Sequence, residues 1–333
     1  MATFKKQLGI VGLGRMGSGM ARRLRASGFK VVGYTRNPAK TEVPSLERLV
    51  EALGTPRVVL TSLPAGDVTR STIRHLAGLL DRGDFVVDTA NSYYRDTLAL
   101  AAELAEAGIR FIDAGISGGV RGAEVGYCIM VGGSAEDVGE LRPIFEALAT
   151  ERGFAHVGPV GAGHFAKMVH NGIEYGIIEA LAEGYELLQA SSFQLDPRQI
   201  FELWQHGSVI RSWLLELATE ALRAHPGMQD VKGWVADSGE GRWTVIEATQ
   251  MGVPVPVIAT ALYRRFDSRQ ADSPAMQLSA ALREQFGGHE IKSQKPSLPK
   301  DGPHERMKES RPDSGPLSDG DDLRGPWHDD SAL

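Results

Sequence analysis

The chain has 333 residues, 42% of them hydrophobic and 23% charged, which is typical of a globular protein long enough for two domains. Its one cysteine, Cys128, excludes a disulfide scaffold, and no Cys-x-x-Cys or His-Glu-x-x-His spacing provides a zinc pattern, so we expect a metal-independent reaction. The net charge of -6 argues against a nucleic-acid partner. The apolar runs are too short for a membrane helix and the N-terminus lacks a signal-peptide core, so we expect a cytoplasmic protein with no membrane partner.

Up to about residue 160, short β-branched runs alternate with helical segments rich in Ala, Leu and Arg. This alternation predicts βαβ units with a parallel sheet, and therefore a Rossmann-like, doubly wound α/β domain over residues 1–160. The predicted strands are Leu8–Val11, Lys30–Tyr34, Val58–Ser62, Phe85–Asp88 and Phe111–Asp113. Such sheets bind ligands beyond the carboxyl ends of their strands, so we expect one crevice there. The residues at those ends are Gly12, Thr35, Leu63, Asn91 and Ser117.

A glycine-rich turn follows the first predicted strand and reads Gly12-Leu13-Gly14-Arg15-Met16-Gly17. In this pattern the first glycine allows the tight turn, the second lets a pyrophosphate approach the backbone, and the third lets helix and strand pack closely. The anion then meets free N–H groups at a helix N-terminus. An ordinary glycine-rich turn is the alternative, but the position between a strand and a helix favours a dinucleotide site, with Leu63 and Asn91 at adjacent strand ends.

The residue after the second predicted strand bears on which dinucleotide binds. NAD enzymes of this fold usually have Asp or Glu there, which accepts hydrogen bonds from the adenosine ribose hydroxyls. Here the position is Thr35, followed by Arg36, so a 2′-phosphate meets no carboxylate and Arg36 can pair with it. We therefore expect NADP as the cofactor, with NAD as the second option. The alternative is that Arg36 is a solvated loop residue.

After residue 160 the strand pattern stops, and the sequence predicts an all-α domain over residues 161–289. Its predicted helices are one long segment through Ala190 and then Pro197–His206, Arg211–Ala224, Arg242–Gln250, Pro256–Phe266 and Pro274–Phe286. Residues 290–333 hold six of the seventeen prolines and few adjacent apolar residues, so we expect a disordered tail there. Cys128, in a strand-like run before this domain, is expected to be a small buried hydrophobe.

The first helix of the all-α domain carries a polar stripe. At about 100° per residue, the residues that share one face are Lys167, His170, Asn171 and Glu174, with Tyr175 beside them. A solvated stripe with a Lys/Glu ion pair is the ordinary explanation. Against it, Gly172 and Gly176 each cost the helix about 1 kcal/mol relative to Ala, which indicates a close approach to that backbone. An amine whose pKa is lowered by burial and a carboxylate also suit proton transfer to a small substrate.

Three segments are together similar to one enzyme family. They are Lys167-Met168-Val169-His170-Asn171-Gly172-Ile173-Glu174-Tyr175-Gly176, Asp88-Thr89-Ala90-Asn91-Ser92 and Ser117-Gly118-Gly119. They resemble the decarboxylating 6-phosphogluconate dehydrogenases, which belong to the β-hydroxyacid dehydrogenases. The resemblance covers about residues 8–289. The motif Asp237-Ser238-Gly239-Glu240-Gly241-Arg242-Trp243 is similar to the short-chain branch, whereas longer members carry a second repeat of the helical domain.

The resemblance implies oxidative decarboxylation of 6-phosphogluconate to ribulose 5-phosphate and CO2, a step of the pentose phosphate pathway and of gluconate metabolism. It implies that Lys167 removes the proton of the C3 hydroxyl during hydride transfer. The protonated Lys167 then polarises the keto group while CO2 leaves. Glu174 protonates the resulting enediol.

The same resemblance implies further roles in substrate binding. Asn171 orients the reacting hydroxyl, His170 holds the sugar chain, and Asn91 touches both substrate and cofactor. The substrate carboxylate lies on the segment of Ser117, Gly118 and Gly119, where backbone donors suit an anion.

The phosphate end of the substrate is implied to bind Tyr175 and Arg265. Family members insert the tail of a neighbouring subunit into the site, and Arg283 and His289 reproduce the spacing of its Arg and His. We therefore expect a homodimer or homotetramer with shared sites, although a polar helix end is the alternative for these two residues. Ser238 departs from the longer members, which have a phosphate-binding lysine there.

Two other functions stay open. The first is a related NAD(P)-dependent β-hydroxyacid dehydrogenase or imine reductase that acts on a non-phosphorylated substrate. The second is a catalytically inactive NADP-binding module that acts by association, against which the intact set of Lys167, Asn171 and Glu174 argues.

Overall fold

The computed structural model describes residues 6–292. A seven-stranded sheet has the strand order β2-β1-β3-β4-β5-β6-β7. Its strands are β1 Gln7–Val11, β2 Lys30–Tyr34, β3 Val58–Thr61, β4 Phe85–Asp88, β5 Arg110–Ser117, β6 Tyr127–Gly132 and β7 Ala149–Gly158. Strands β1 to β5 pair in parallel, which confirms the predicted Rossmann-like fold.

Helices cover both faces of the sheet. They are α1 Arg15–Ala26, α2 Leu46–Glu51, α3 Asp67–Ala77, α4 Tyr94–Glu106, α5 Gly122–Val125 and α6 Ala135–Leu148. Leu8 and Ile10 pack with residues of α1 and α6. Val11 and Val59 pack instead with residues of α2, α3 and α4. Side chains of a strand alternate between its two faces, so each buried strand contributes to both cores.

The sheet departs from the expected parallel pattern at β6. This strand runs antiparallel to β5, with Ser117 opposite Cys128. The connection contains only the four-residue helix α5, and a parallel crossover requires a dozen or more residues. The expectation that Cys128 is buried is wrong: Tyr127 and Ile129 take the inward positions of β6, and Cys128 between them is exposed.

From residue 162 onward, the described part of the chain forms helices. They are α7 Ala162–Ala190, α8 Pro197–Trp204, α9 Trp213–Ala224, α10 Glu240–Gln250, α11 Pro256–Asp267 and α12 Pro274–Gly287, with a 3₁₀ turn at Pro226–Met228. The long helix α7 packs against β5, β6, α10 and α11. Phe201 and Leu215 are buried in a smaller core between α8 and α9. The predicted helical C-terminal part is therefore confirmed.

The described residues up to Ser273 form one compact unit, and α12 belongs to a second one. The predicted domain boundaries at residues 160 and 289 stay predictions. Most of the predicted tail, from residue 293 to 333, lies outside the described residues. Within residues 6–292, no helix combines the length and apolar character needed to cross a membrane.

Candidate active site

The carboxyl ends of β3, β4 and β5 open into a cleft of about 1260 Å³. Helices α7, α9, α10 and α11 contribute its other walls. The residues singled out from the sequence that line it are Gly14, Arg15, Met16, Gly17, Leu63, Asn91, Ser117, Gly118, Gly119, Lys167, His170, Asn171, Glu174, Tyr175, Ser238 and Arg265. The fold thus brings the glycine turn and the polar stripe of α7 to one continuous cavity.

The glycine turn between β1 and α1 is closed on its protein side. A Cβ on Gly12, whose φ is +99°, would collide with the carbonyl oxygen of Ser62, and a Cβ on Gly17 would collide with that of Gly12. At Gly14 the Cβ position is open, since no described atom outside the local backbone lies within 4 Å of it. The first turn of α1, which starts directly after Gly14, carries no acidic side chain. This cradle fits a pyrophosphate held by backbone N–H groups.

The end of β2 lies beside this turn, because the N–H of Gly12 donates to the carbonyl oxygen of Tyr34 at 2.8 Å. Arg36 is exposed, and Thr35 is half-buried. Leu13 is a core residue with 6% exposure. The cleft is not lined by Gly12, Leu13, Thr35 or Arg36. Arg36 stays the predicted contact for a 2′-phosphate.

The buried carboxylate of Asp113, in β5, fixes the first turn of α7. One of its oxygens accepts from the N–H of Gly161 at 2.7 Å and the other from the N–H of His164 at 2.8 Å. A carboxylate there satisfies unpaired N–H groups and the positive end of the helix dipole. A Cβ on Gly115 would collide with the Cβ of Lys167. The start of α7 therefore sits directly on the sheet, and the position of Lys167 follows from it.

The predicted stripe of α7 faces the cleft. Lys167 and Asn171 are 8% and 7% exposed. The close approach expected at Gly172 and Gly176 comes from neighbouring helices. A Cβ on Gly172 would lie 2.7 Å from Thr244 in α10, and one on Gly176 would lie 3.2 Å from Val257 in α11.

Polar contacts join the stripe to β4 and β5. Nζ of Lys167 lies 3.4 Å from Nδ1 of His170, and Nε2 of His170 lies 3.1 Å from Oγ of Ser117. Nδ1 of His170 is also 3.3 Å from Oδ1 of Asn171. Asn171 in turn donates from Nδ2 to Oδ1 of Asn91 at 3.2 Å. Three of the predicted catalytic residues and two of the predicted substrate contacts therefore form one connected set.

Burial lowers the pKa of Lys167, while the charges of Glu174 and Glu240 act in the opposite direction. Burial, and next the charge of Lys167, lower the pKa of His170. A lowered pKa increases the fraction of neutral amine, which can accept a proton. Nδ1 of His170 is 3.8 Å from the carboxylate of Glu174 and 3.4 Å from Nζ of Lys167. The amine of Lys167 and the carboxyl group of Glu174 therefore lie next to the same imidazole nitrogen.

The far end of the stripe holds Tyr175 and Arg265. The guanidinium of Arg265 lies 3.4 Å from the centre of the Tyr175 ring. The buried hydroxyl of Tyr175 has no hydrogen-bond partner in the part of the chain that the structure describes. A buried hydroxyl without a partner, beside a guanidinium, is the arrangement expected at an anion-binding position.

Arg283 lies in α12 and His289 follows that helix, and both side chains are exposed. They belong to the second compact unit, which starts at Pro274. Their contribution to a shared phosphate site stays a prediction.

Glu240, the first residue of α10, also lines the cleft, although its sequence motif predicted no site role for it. Its carboxylate accepts from Nδ2 of Asn91 and, at 2.5 Å, from Oγ of Ser238. The available signal was an acid between two glycines at the start of a predicted helix. Trp213, Leu214 and Leu217 of α9 were missed too, because their sequence pattern is that of any packed helix.

Helix α10 also holds the segment that follows Asn91. The carboxylate of Glu247, 2% exposed, accepts from Nε of Arg95 at 2.6 Å, from the hydroxyl of Tyr94 at 2.7 Å and from the hydroxyl of Tyr93. These hydrogen bonds, that of Arg95 first, lower the pKa of Glu247 to about 2. Burial, together with Glu247, raises the pKa of Tyr93 to about 12. The ring of Trp243 stacks on Tyr93 with 5.2 Å between centroids.

The loop after β5 is attached to α9 by one arginine. Arg121 pairs with Glu216 at 3.1 Å and with Glu220 at 2.6 Å, and all three side chains are at least 41% exposed. Gly118 and Gly119 in this loop have φ values of +129° and +52°, which favour glycine.

Two family models match the chain: the NAD binding domain of 6-phosphogluconate dehydrogenase over residues 7–158, and the 6-phosphogluconate dehydrogenase C-terminal domain over residues 163–301. The chain is 40% identical to the NAD(+)-dependent, decarboxylating 6-phosphogluconate dehydrogenase of Haloferax volcanii, across 86% of this chain and 98% of the relative. It is 36% identical to the NADP(+)-dependent, decarboxylating enzyme of Bacillus subtilis, across 79% of this chain and 61% of the relative.

Among solved structures, the 6-phosphogluconate dehydrogenase of Plasmodium falciparum has a TM-score of 0.73 at 25% identity, covering 87% of this chain and 67% of that chain. That enzyme is described in its apo form and in complexes with its cofactor NADP+ and its substrate 6-phosphogluconate. From the two matching domains and the full-length relative, this chain belongs to the 6-phosphogluconate dehydrogenase family of NAD(P)-dependent oxidoreductases.

Proposed function

We propose that the protein oxidatively decarboxylates 6-phosphogluconate to ribulose 5-phosphate and CO2, with reduction of NADP+ or NAD+. The observation that carries this proposal is Lys167, a buried amine with a lowered pKa in a cleft that also contains the glycine turn. Family membership supports the same reaction. A cytoplasmic setting stays the expectation from composition.

In the oxidation, the neutral amine of Lys167 takes the proton of the C3 hydroxyl. The nicotinamide ring of a bound cofactor supplies the acceptor for the hydride that leaves C3. Asn171 orients the hydroxyl, because its amide is held by Asn91 on one side and His170 on the other. The products of this step are a β-keto acid and the ammonium form of Lys167.

In the decarboxylation, the ammonium of Lys167 donates to the C3 keto oxygen. It stabilises the negative charge that develops there as the bond between C1 and C2 breaks and CO2 leaves. The lysine returns its proton to that oxygen, which gives an enediol. Glu174 then acts as an acid and delivers a proton to the former C2, while the neutral Lys167 takes the hydroxyl proton from the former C3. These carbons become C1 and the keto carbon C2 of ribulose 5-phosphate.

The two anionic ends of the substrate bind at opposite ends of the polar stripe. The carboxylate binds at Ser117, Gly118 and Gly119, where the backbone of a positive-φ loop offers N–H donors. The phosphate binds at Tyr175 and Arg265, whose buried hydroxyl and guanidinium are adjacent. Arg283 and His289 complete the phosphate site from a second copy of the chain, so we propose a homodimer or homotetramer.

We propose NADP as the preferred cofactor, since Thr35 and Arg36 stand where NAD enzymes carry an acid. The two relatives named above are NAD(+)- and NADP(+)-dependent, respectively. Replacing Arg36 by Ala is expected to raise the KM for NADP+ far more than that for NAD+. Equal changes in both constants would show that Arg36 does not contact the 2′-phosphate.

Four assays test the function: 6-phosphogluconate and gluconate, each with NADP+ and NAD+, followed by reduced-cofactor absorbance and by CO2 release. We expect turnover with 6-phosphogluconate. The variant Lys167→Ala is expected to lose oxidation and CO2 release together, with kcat lower by roughly 10²–10⁴-fold. Glu174→Ala is expected to slow mainly the formation of ribulose 5-phosphate. Normal turnover in Lys167→Ala would refute the assignment of the base.

One observation favours a second candidate, a dehydrogenase of a non-phosphorylated hydroxyacid. The carboxylate of Glu240, 8% exposed, contacts Ser238 next to the proposed phosphate position. Burial raises the pKa of the Tyr175 hydroxyl there, and the charge of Glu240 acts in the same direction. A negative charge there opposes a phosphate dianion. Turnover of gluconate in preference to 6-phosphogluconate would establish this candidate and exclude the first.

A further inference from the structure

Glu240 occupies an enclosed position at the start of α10. It lies between Gly239, with φ +106°, and Gly241, where a Cβ would collide with the ring of Tyr175. One carboxylate oxygen accepts from Nδ2 of Asn91, and the other accepts from Oγ of Ser238. The N-terminal end of a helix also favours a negative charge. Packing, hydrogen bonds and the helix dipole together hold this carboxylate in one place.

An ionised carboxylate has only acceptors, whereas a side-chain amide has an acceptor on one side and donors on the other. Asn91 must therefore turn its nitrogen toward Glu240, which leaves its oxygen facing Nδ2 of Asn171 at 3.2 Å. Nδ2 of Asn171 therefore donates to Asn91, and Oδ1 of Asn171 faces Nδ1 of His170 at 3.3 Å. The direction of each amide follows from the acceptor at the end of the chain.

The same logic assigns the proton of His170. Its Nδ1 faces two acceptors, the amide oxygen of Asn171 at 3.3 Å and the carboxylate of Glu174 at 3.8 Å. In the neutral ring, the proton therefore belongs on Nδ1, and Nε2 is left to accept from the hydroxyl of Ser117 at 3.1 Å. With this tautomer, Nδ1 offers no acceptor to the ammonium of Lys167, whose Nζ is 3.4 Å away.

We propose that Glu240 is a positioning residue: as the terminal acceptor, it sets the direction of the hydrogen-bond chain through Asn91 and Asn171 and so fixes His170 as the Nδ1–H tautomer. This inference rests on the proposed function for its catalytic meaning, because Nε2 of His170 then accepts from Ser117 or from a hydroxyl of the sugar acid. Glu240 touches none of the reacting atoms in this role. Its effect reaches the substrate through three other side chains.

Two substitutions at position 240 distinguish the effect of the hydrogen-bond acceptor from the effect of the negative charge. Glu240→Gln removes the charge but keeps an oxygen for Asn91, and its NH2 group can donate to the hydroxyl of Ser238, which is able to accept. Glu240→Ala removes both the acceptor and the charge. We expect kcat within about threefold of the parent for Gln and lower by about 10- to 100-fold for Ala, with a smaller change in KM, because preorganised orientation is lost rather than affinity.

The direct measurement is the tautomer of His170, read from ring ¹⁵N chemical shifts in histidine-labelled full-length protein, with His170→Asn to assign the signal. We expect Nδ1–H in the parent and in Glu240→Gln, and a mixture of tautomers in Glu240→Ala. The matched control is Asp84→Ala, which removes a buried acid that pairs with Arg57 and does not line the cleft, and is expected to leave the tautomer unchanged.

The tautomer requires no substrate, so it tests this inference separately from the function. Failure of the protein to turn over 6-phosphogluconate overturns the proposed function alone. Equal loss of the Nδ1–H tautomer in Glu240→Gln and Glu240→Ala would show that charge matters rather than the acceptor, and would overturn the inference. An unchanged tautomer in Glu240→Ala would overturn it too. Should that variant not fold, Asn91→Ala breaks the next link of the chain and must produce the same mixture.

Discussion

Two loops border the cleft, and they are attached to the helical part by different kinds of contact. The segment after β4 is held by α10 through the buried carboxylate of Glu247, which accepts four hydrogen bonds from Tyr93, Tyr94 and Arg95. The segment after β5 is held by α9 through ion pairs of Arg121, and the partners in these pairs are all substantially exposed.

The difference between these attachments predicts different mechanical roles. Hydrogen bonds to a buried charge are strong, and leaving such a charge unpaired is costly. Exposed ion pairs contribute about 0–1 kcal/mol and weaken with salt. The loop after β4 should therefore be a fixed wall of the site. The loop after β5, with Gly118 and Gly119 at positive φ, should be the wall that adjusts to the substrate carboxylate.

The largest effect on stability is expected at Glu247. Replacement by Ala leaves the guanidinium of Arg95 and two tyrosine hydroxyls without their shared acceptor. We expect the free energy of unfolding to fall by about 1–3 kcal/mol, because the partly buried tyrosine hydroxyls lose their acceptor, whereas Arg95 is half exposed and can be hydrated instead. Urea denaturation measures this change. Glu247→Gln keeps the shape of the side chain and one acceptor, so its free energy of unfolding should fall less. Equal stability of Glu247→Ala and the parent would contradict the idea that the loop after β4 is a fixed wall.

A pH titration sharpens the same contrast with a smaller effect. The folded-state pKa of Glu247 is lowered from 4.5 to about 2, so its stabilising contribution is complete above pH 4.5 and is lost as the pH falls toward 2. The free energy of unfolding should decrease across this window more steeply in the parent than in Glu247→Gln. Identical pH profiles for the two proteins would show that this carboxylate does not titrate as the structure indicates.

The smallest effect on stability is expected at Arg121. Arg121→Ala should change the free energy of unfolding by less than about 1 kcal/mol, because all its ion pairs are exposed. The KM for the sugar acid should rise about threefold, since the loop proposed to bind its carboxylate loses its ion pairs to α9. Added salt should raise KM in the parent and much less in the variant. A loss of stability as large as that of Glu247→Ala would abolish the contrast between the two loops.

Local sequence patterns were sufficient for much of the cofactor part. The glycine turn follows a strand and precedes a helix, and the spacing of its three glycines within six residues is sufficient to identify it. Helical periodicity also placed Lys167, His170, Asn171 and Glu174 on one face, and they do line the cleft. These features depend on residues that are close together in the chain.

Features that depend on distant pairings were missed. Asn91 and Glu240 are 149 residues apart, and neither neighbourhood alone reveals their hydrogen bond. The antiparallel β6 and the exposure of Cys128 depend on the short connection through α5 and on which face of the strand a helix covers. The close approach at Gly172 was anticipated, but not that its source is Thr244 of α10. Sequence pattern predicted that space was needed, and only the fold shows which group fills it.

The absence of a side chain at Gly115 lets helix α7, which carries Lys167, rest on β5. Thr35 and Arg36, the residues proposed to discriminate between the coenzymes, follow β2, and β1, β3 and β4 lie in between. The proposed positions for coenzyme choice and proton transfer are thereby separated across the width of the sheet. Under this proposal, substitutions around Arg36 are expected to alter coenzyme preference without moving Lys167. A methyl group at position 115 would instead collide with the Cβ of Lys167 and the carbonyl oxygen of Gly163, so the start of α7 would have to shift away from the sheet.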